Sequence, residues 1–155
     1  MRKTFLSIVA CFVLCASFAQ KNTVFAEAGG NGLFGSLNYE RQLTKSPLLL
    51  ARAGIGIYNE NGAYLTVPVG FNYLINLKNN TYFLDAGVGA SWAHDRKKPR
   101  GTSKTRYVDN FWNFIPSIGY RAHKEKGLMW RISLTPIINR NAFTPWVGFS
   151  LGKRF

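Results

Sequence analysis

An alternation of period two runs through nearly the whole chain, placing large apolar side chains on one face of each segment and small, polar or arginine side chains on the other. No sustained period of 3.6 competes with it. In one segment the apolar face reads Leu65, Val67, Val69, Phe71, Tyr73 and Ile75, while the opposite face carries Tyr64, Thr66, Gly70 and Asn72. Breaks rich in Gly, Asn and Pro, such as Gly30-Asn31-Gly32 and Glu60-Asn61-Gly62, separate eight such segments. The pattern predicts strands over roughly 22–29, 33–43, 48–59, 63–75, 81–93, 107–122, 128–138 and 144–155, with Leu33, Leu37 and Tyr39 on the apolar face of the second. Most are close to the ~9–11 residues a tilted strand needs to cross a bilayer.

Which face points outward decides the class. Eight strands closing on themselves leave an interior just wide enough for small and polar side chains. The large apolar face must then point out, and outward apolar side chains need lipid. The expected fold is all-β: an eight-stranded antiparallel up-and-down transmembrane β-barrel. Tyr and Trp collect where a bilayer meets water, and they form two groups. Tyr39, Tyr73, Tyr82, Tyr120 and Trp130 lie toward one end, Trp92, Tyr107, Trp112 and Trp146 toward the other. Pro68, Pro116 and Pro136 fall inside segments and each removes a ladder donor that lipid cannot replace, which predicts bulges or strand ends there.

Residues 1–19 read as a cleaved secretory signal peptide: Arg2 and Lys3 precede an uncharged, largely apolar run from Thr4 that ends in Ser17-Phe18-Ala19. Residues 20–155 are then the barrel. Cys11 and Cys15 leave with the leader, which excludes disulfides and thiolate metal sites from the remainder. Twenty Lys and Arg against seven Asp and Glu favour anionic partners.

The eight amphipathic segments, the leader and a chain ending on a strand with Phe155 resemble small bacterial outer-membrane barrels of the OmpA or OmpX type. FGSLNYERQL from Phe34, VPVGFNYLI from Val67, IGYR from Ile118 and WVGFSLGKRF from Trp146 are also similar to a recurrent group of bacterial outer-membrane proteins. The resemblance implies an integral place in the outer membrane and both termini on the periplasmic side. It also implies that Phe149, Leu151 and Phe155, with Val147, form the tag read by the barrel-assembly machinery, although Lys153 interrupts the alternation. It carries no catalytic motif, and no cofactor is expected.

Two groups of charges are candidate functional residues. Glu27, Glu40 and Asp85 share the inward face with Arg52, Arg121, Arg131 and Arg154. Charges in a narrow barrel are costly unless paired, so an ionic network closing the lumen is expected, with Glu40 or Asp85 paired to Arg52 or Arg131. Arg121 and Arg154 stand near one end, where reaching water is the alternative. The second group, Arg96, Lys97, Lys98, Arg100, Lys104 and Arg106, makes a strongly basic outer loop. It reads either as a solvated loop or as a contact to the phosphates of lipopolysaccharide. It holds no aromatic residue for base stacking, so nucleic acid is not an expected partner.

Catalysis finds little support. His94 has Ser91, Asp95 and Ser103 nearby, but the spacing does not reproduce the His-x-Ser arrangement of outer-membrane deacylases, and His123 reads as a turn residue. Two distant histidines make no metal site. The reading is a structural or surface-interaction barrel rather than an enzyme. The alternatives are a narrow channel for small solutes and, below it, a lipid-modifying hydrolase.

Overall fold

The computed structural model describes residues 21–45, 48–59, 63–95, 110–139 and 143–155. The leader expected over residues 1–19 lies outside them, as does Tyr107. Ten strands form one antiparallel sheet: β1 (Asn22–Gly29), β2 (Gly35–Gln42), β3 (Leu48–Asn59), β4 (Ala63–Lys78), β5 (Tyr82–Asp95), β6 (Asn110–His123), β7 (Leu128–Leu134), β8 (Ile137–Ile138), β9 (Phe143–Thr144) and β10 (Val147–Arg154). β7 with β8, and β9 with β10, are each two stretches of one wall strand, so the wall has eight. It closes because β1 pairs with β10 and β5 pairs with β6. Closure leaves no unpaired edge, the condition for a sheet in hydrocarbon.

We call the end that carries Asn22, Gln42, Lys78, His123 and Arg154 the base, and the opposite end the mouth. The row of partners from Gly29 runs Gly148, Ser133, Gly119, Asp85, Leu74 and Leu48. It starts at the mouth end of β1 and finishes at the base of β3, so the strands are strongly staggered and tilted.

The pleat then sorts side chains by parity. Outward positions are apolar and exposed: Ile55 61%, Phe71 53%, Val88 51%, Leu134 60%. Inward positions are buried and mostly polar, including Glu27, Glu40, Arg52, Asp85, Arg121 and Arg131. This inversion of a soluble protein's arrangement is what lipid on the outside requires.

Several expected strand limits shift, two of them with a clear local cause. β2 begins at Gly35, because Leu33 turns inward with φ 72 and is buried rather than standing on the apolar outer face. β4 continues to Lys78, and Asn79 and Asn80 make the turn in left-handed conformations that asparagine tolerates.

The prolines sit where ladders open. The β3–β4 pairing skips the positions opposite Gly54 and Ile55, beside Pro68, and resumes in the same register. Pairing between β6 and β7 stops at Ile118 with Leu134 and resumes at Phe114 with Ile138, which sets Pro116 opposite Pro136. Leu134 with Val147 and Ile137 with Thr144 likewise set Pro136 opposite Pro145. Three prolines thus occupy one row across three neighbouring strands, where missing donors fall together instead of breaking three separate ladders. None of these is a bulge; among the described pairings a register shift lies between Asn76 and Lys78.

Candidate functional site

The lumen is filled in layers. Nearest the base, Leu50, Leu74 and Phe83 form an apolar cluster, and Met129 is buried at a similar height. Sequence reasoning assigned small and polar residues to this face and missed these. They occur where alternation dissolves into apolar runs, Leu48–Ala51, Tyr73–Ile75, Tyr82–Leu84 and Leu128–Trp130, in which parity cannot be read from residue type. Beside them Arg154 donates to Gln42 Oε1 at 2.9 Å and approaches His123 Nδ1 at 3.1 Å.

Above this floor six charges form one alternating chain: Arg52, Glu27, Arg131, Asp85, Arg121, Glu40. Arg52 Nη1 lies 3.4 Å from Glu27 Oε1, and Arg131 bonds the same oxygen through Nη2. Arg131 Nη1 is 3.4 Å from Asp85 Oδ2, which also accepts from Arg121 Nε at 2.8 Å. Arg121 grips Glu40 bidentately, with Nη2 2.9 Å from Oε2. Three acids meet three arginines, all buried, so the chain is electrically neutral. Asn72 of β4 donates to Asp85, and Ser150 of β10 donates to Glu27 at 3.2 Å. With these two, each of the eight wall strands contributes a side chain. Such charge-assisted bonds are short and directional, so they tie strand register to lumen geometry.

One of the expected pairs of Glu40 or Asp85 with Arg52 or Arg131 forms, and two details differ from the alternatives left open. Glu40 takes Arg121 across the lumen rather than Arg52 on the adjacent strand, although Glu40 and Arg52 are Cα partners. Arg121 does not reach water: its side chain is 1% exposed and central to the network. The expected pair that forms is Asp85 with Arg131. Arg154 is half-buried and stands outside the chain, on Gln42 and His123.

The upper lumen holds a plug that the sequence did not announce. The turn after β1, Gly30-Asn31-Gly32, folds inward, and all three residues are buried. Thr66 Oγ1 donates to the Gly32 carbonyl at 3.1 Å, and Trp146 Nε1 donates to the Leu33 carbonyl at 3.0 Å. Gly89 lies beneath the Asn31 amide, where a Cβ would overlap its nitrogen. Gly89→Val is expected to displace the turn and cost about 1–3 kcal/mol through overpacking. Denaturant unfolding in micelles checks the cost, and quenching of Trp fluorescence by acrylamide checks the displacement by exposing Trp146. Unchanged stability and quenching would show that the turn does not rest on Gly89.

The basic loop residues Arg96, Lys97, Lys98, Arg100, Lys104 and Arg106 lie outside the described residues, as do Ser103 and the side chains of His94 and Asp95. Ser91 is buried in the lumen. Among the described residues no group of three or more His, Cys, Asp or Glu is arranged to hold a metal ion. Phe149, Leu151 and Phe155 are exposed along and just beyond the final strand.

A closed eight-stranded antiparallel barrel with an apolar exterior and an ionic lumen has the fold of the small outer-membrane barrels. The N-terminal β-barrel domain of Pseudomonas aeruginosa OprF superposes with a TM-score of 0.62 at 9% identity, over 88% of this chain and 96% of that one. The Yersinia pestis outer membrane protein Ail, determined in a phospholipid bilayer nanodisc, gives 0.58 at 8% identity, over 88% and 98%. No family model and no curated protein matches the sequence.

Proposed function

We propose that this protein is an integral outer-membrane barrel with a structural or surface-interaction role and a non-conducting lumen. The neutral chain of six charges, bonded to all eight wall strands between an apolar floor and an inward-folded turn, carries this reading. An ion entering the lumen would have to displace carboxylates from buried guanidinium groups, which leaves uncompensated buried charge. Leu50, Leu74 and Phe83 offer it no replacement for water.

The base then faces the periplasm and the mouth faces outward. Chain order between β5 and β6, which meet at the mouth, sends the basic segment from Arg96 to Arg106 outward as well, where its cations suit lipopolysaccharide phosphates. In planar bilayers the purified protein is expected to give no steady conductance, and unboiled samples should migrate as a compact species on gels. A regular single-channel current would replace this reading with the narrow channel.

A further inference from the structure

Charge is segregated along the barrel axis. The lumen acids are locked to lumen arginines, while the turns and strand ends at the base carry Arg41, Lys45, Lys78, Lys124, Lys126 and Lys153 against a single acidic residue, Glu125. One sector of this cationic rim is organised. Tyr82 and Tyr120 stack with centroids 5.8 Å apart and planes at 23°, and Trp130 lies 5.6 Å from Tyr120. These rings share the outward parity of Leu84, Ile118 and Ile132. Lys124 Nζ donates to the Tyr82 hydroxyl at 3.1 Å and stands 5.2 Å over that ring's centroid. This hydrogen bond raises the pKa of the Lys124 ammonium. The backbone of Lys124 donates to the Leu128 carbonyl at 2.7 Å, and Leu128 is the partner of Lys153, so cations from the β6–β7 turn and from β10 border one aromatic patch.

We propose that the Tyr82–Tyr120–Trp130 patch, with Lys124, Lys126 and Lys153, binds the headgroup of an anionic phospholipid at the base of the barrel. The proposal rests on the membrane-spanning reading above. Aromatic rings at the interface hold the glycerol level of a lipid, and lysines beside them reach its phosphate. The upward wall from Leu128 to Ile132 and Ile118 is apolar and exposed, so acyl chains have a surface to follow. A choline headgroup is disfavoured, because Lys124 already occupies the face of Tyr82 that a second cation would use. A soluble polyanion fits less well, since the rings open onto lipid rather than water.

The test uses the barrel in nanodiscs of phosphatidylcholine with a minority of phosphatidylglycerol, and native mass spectrometry of the lipids it retains. Phosphatidylglycerol is expected to be enriched, and each neutralisation among K124Q, K126Q and K153Q should lower that enrichment about fivefold at low salt. Deleting residues 97–104 at the mouth should leave it unchanged. A barrel that inserts but retains the two lipids in bulk proportion, or whose enrichment survives the triple variant, overturns the proposal alone. Enrichment lost with the loop deletion overturns it in favour of the mouth. Lysine-dependent binding of polyphosphate to the barrel in pure phosphatidylcholine, matching the lipid effect, overturns the lipid assignment. Failure to insert at all overturns the membrane-spanning reading with it.

Discussion

Arg121→Ala is expected to destabilise the barrel by about 3–5 kcal/mol, the cost of leaving buried charge without its partner. The variant removes both bonds to the Glu40 carboxylate and the 2.8 Å bond to Asp85 in one step. Arg131→Ala should cost less, because Glu27 then keeps Arg52 and Ser150, and Asp85 keeps Arg121 and Asn72. Urea unfolding in detergent micelles, followed by Trp fluorescence, gives both values. Equal costs would show that the six charges behave as one unit. A loss below about 1 kcal/mol for Arg121→Ala would mean that water reaches Glu40 and that the lumen is wet. Replacing Arg121, Glu40 and Asp85 together by apolar residues of similar volume should recover much of the loss, since paired charges in a closed interior specify geometry more than they stabilise it.

Phe71→Arg tests the outer face. Phe71 lies midway along β4, between Ala51 of β3 and Val88 of β5, and is 53% exposed. In lipid a guanidinium at that depth should cost about 2–4 kcal/mol and impair assembly. The next residue, Asn72, is buried in the lumen and donates to Asp85, so the sign of burial reverses within one position. Assembly of Phe71→Arg in cells at the level of the unaltered protein would place that face in water.

The wall was legible because it depends on parity, and parity survives in a single sequence. β1 and β3 occur where alternation predicted them, and Phe71, Val88 and Leu134 lie on the outer face. The lumen was less legible, because its bonds join residues far apart in the chain. Arg121 and Glu40 are 81 positions apart, and nothing local distinguishes an arginine that crosses the lumen from one that leans to water. The plug was unreadable for a related reason. Gly-Asn-Gly is good turn chemistry whether the turn projects outward or folds in. What holds it inward is Thr66, Gly89 and Trp146, none of which is near it in sequence. Pro116 and Pro136 were flagged singly and Pro145 not at all, and only pairing showed that the three fall on one row.

That row divides the barrel mechanically. Below it the ladders that join β6, β7 and β10 run without interruption, and the ion chain crosses the lumen like spokes. At the row itself the ladders between these three strands are interrupted, and above it they resume with only a few pairs: Phe114 with Ile138, Ile137 with Thr144 and Ile138 with Phe143. The bracing of the barrel is thus uneven: dense toward the base, and sparse in one sector toward the mouth.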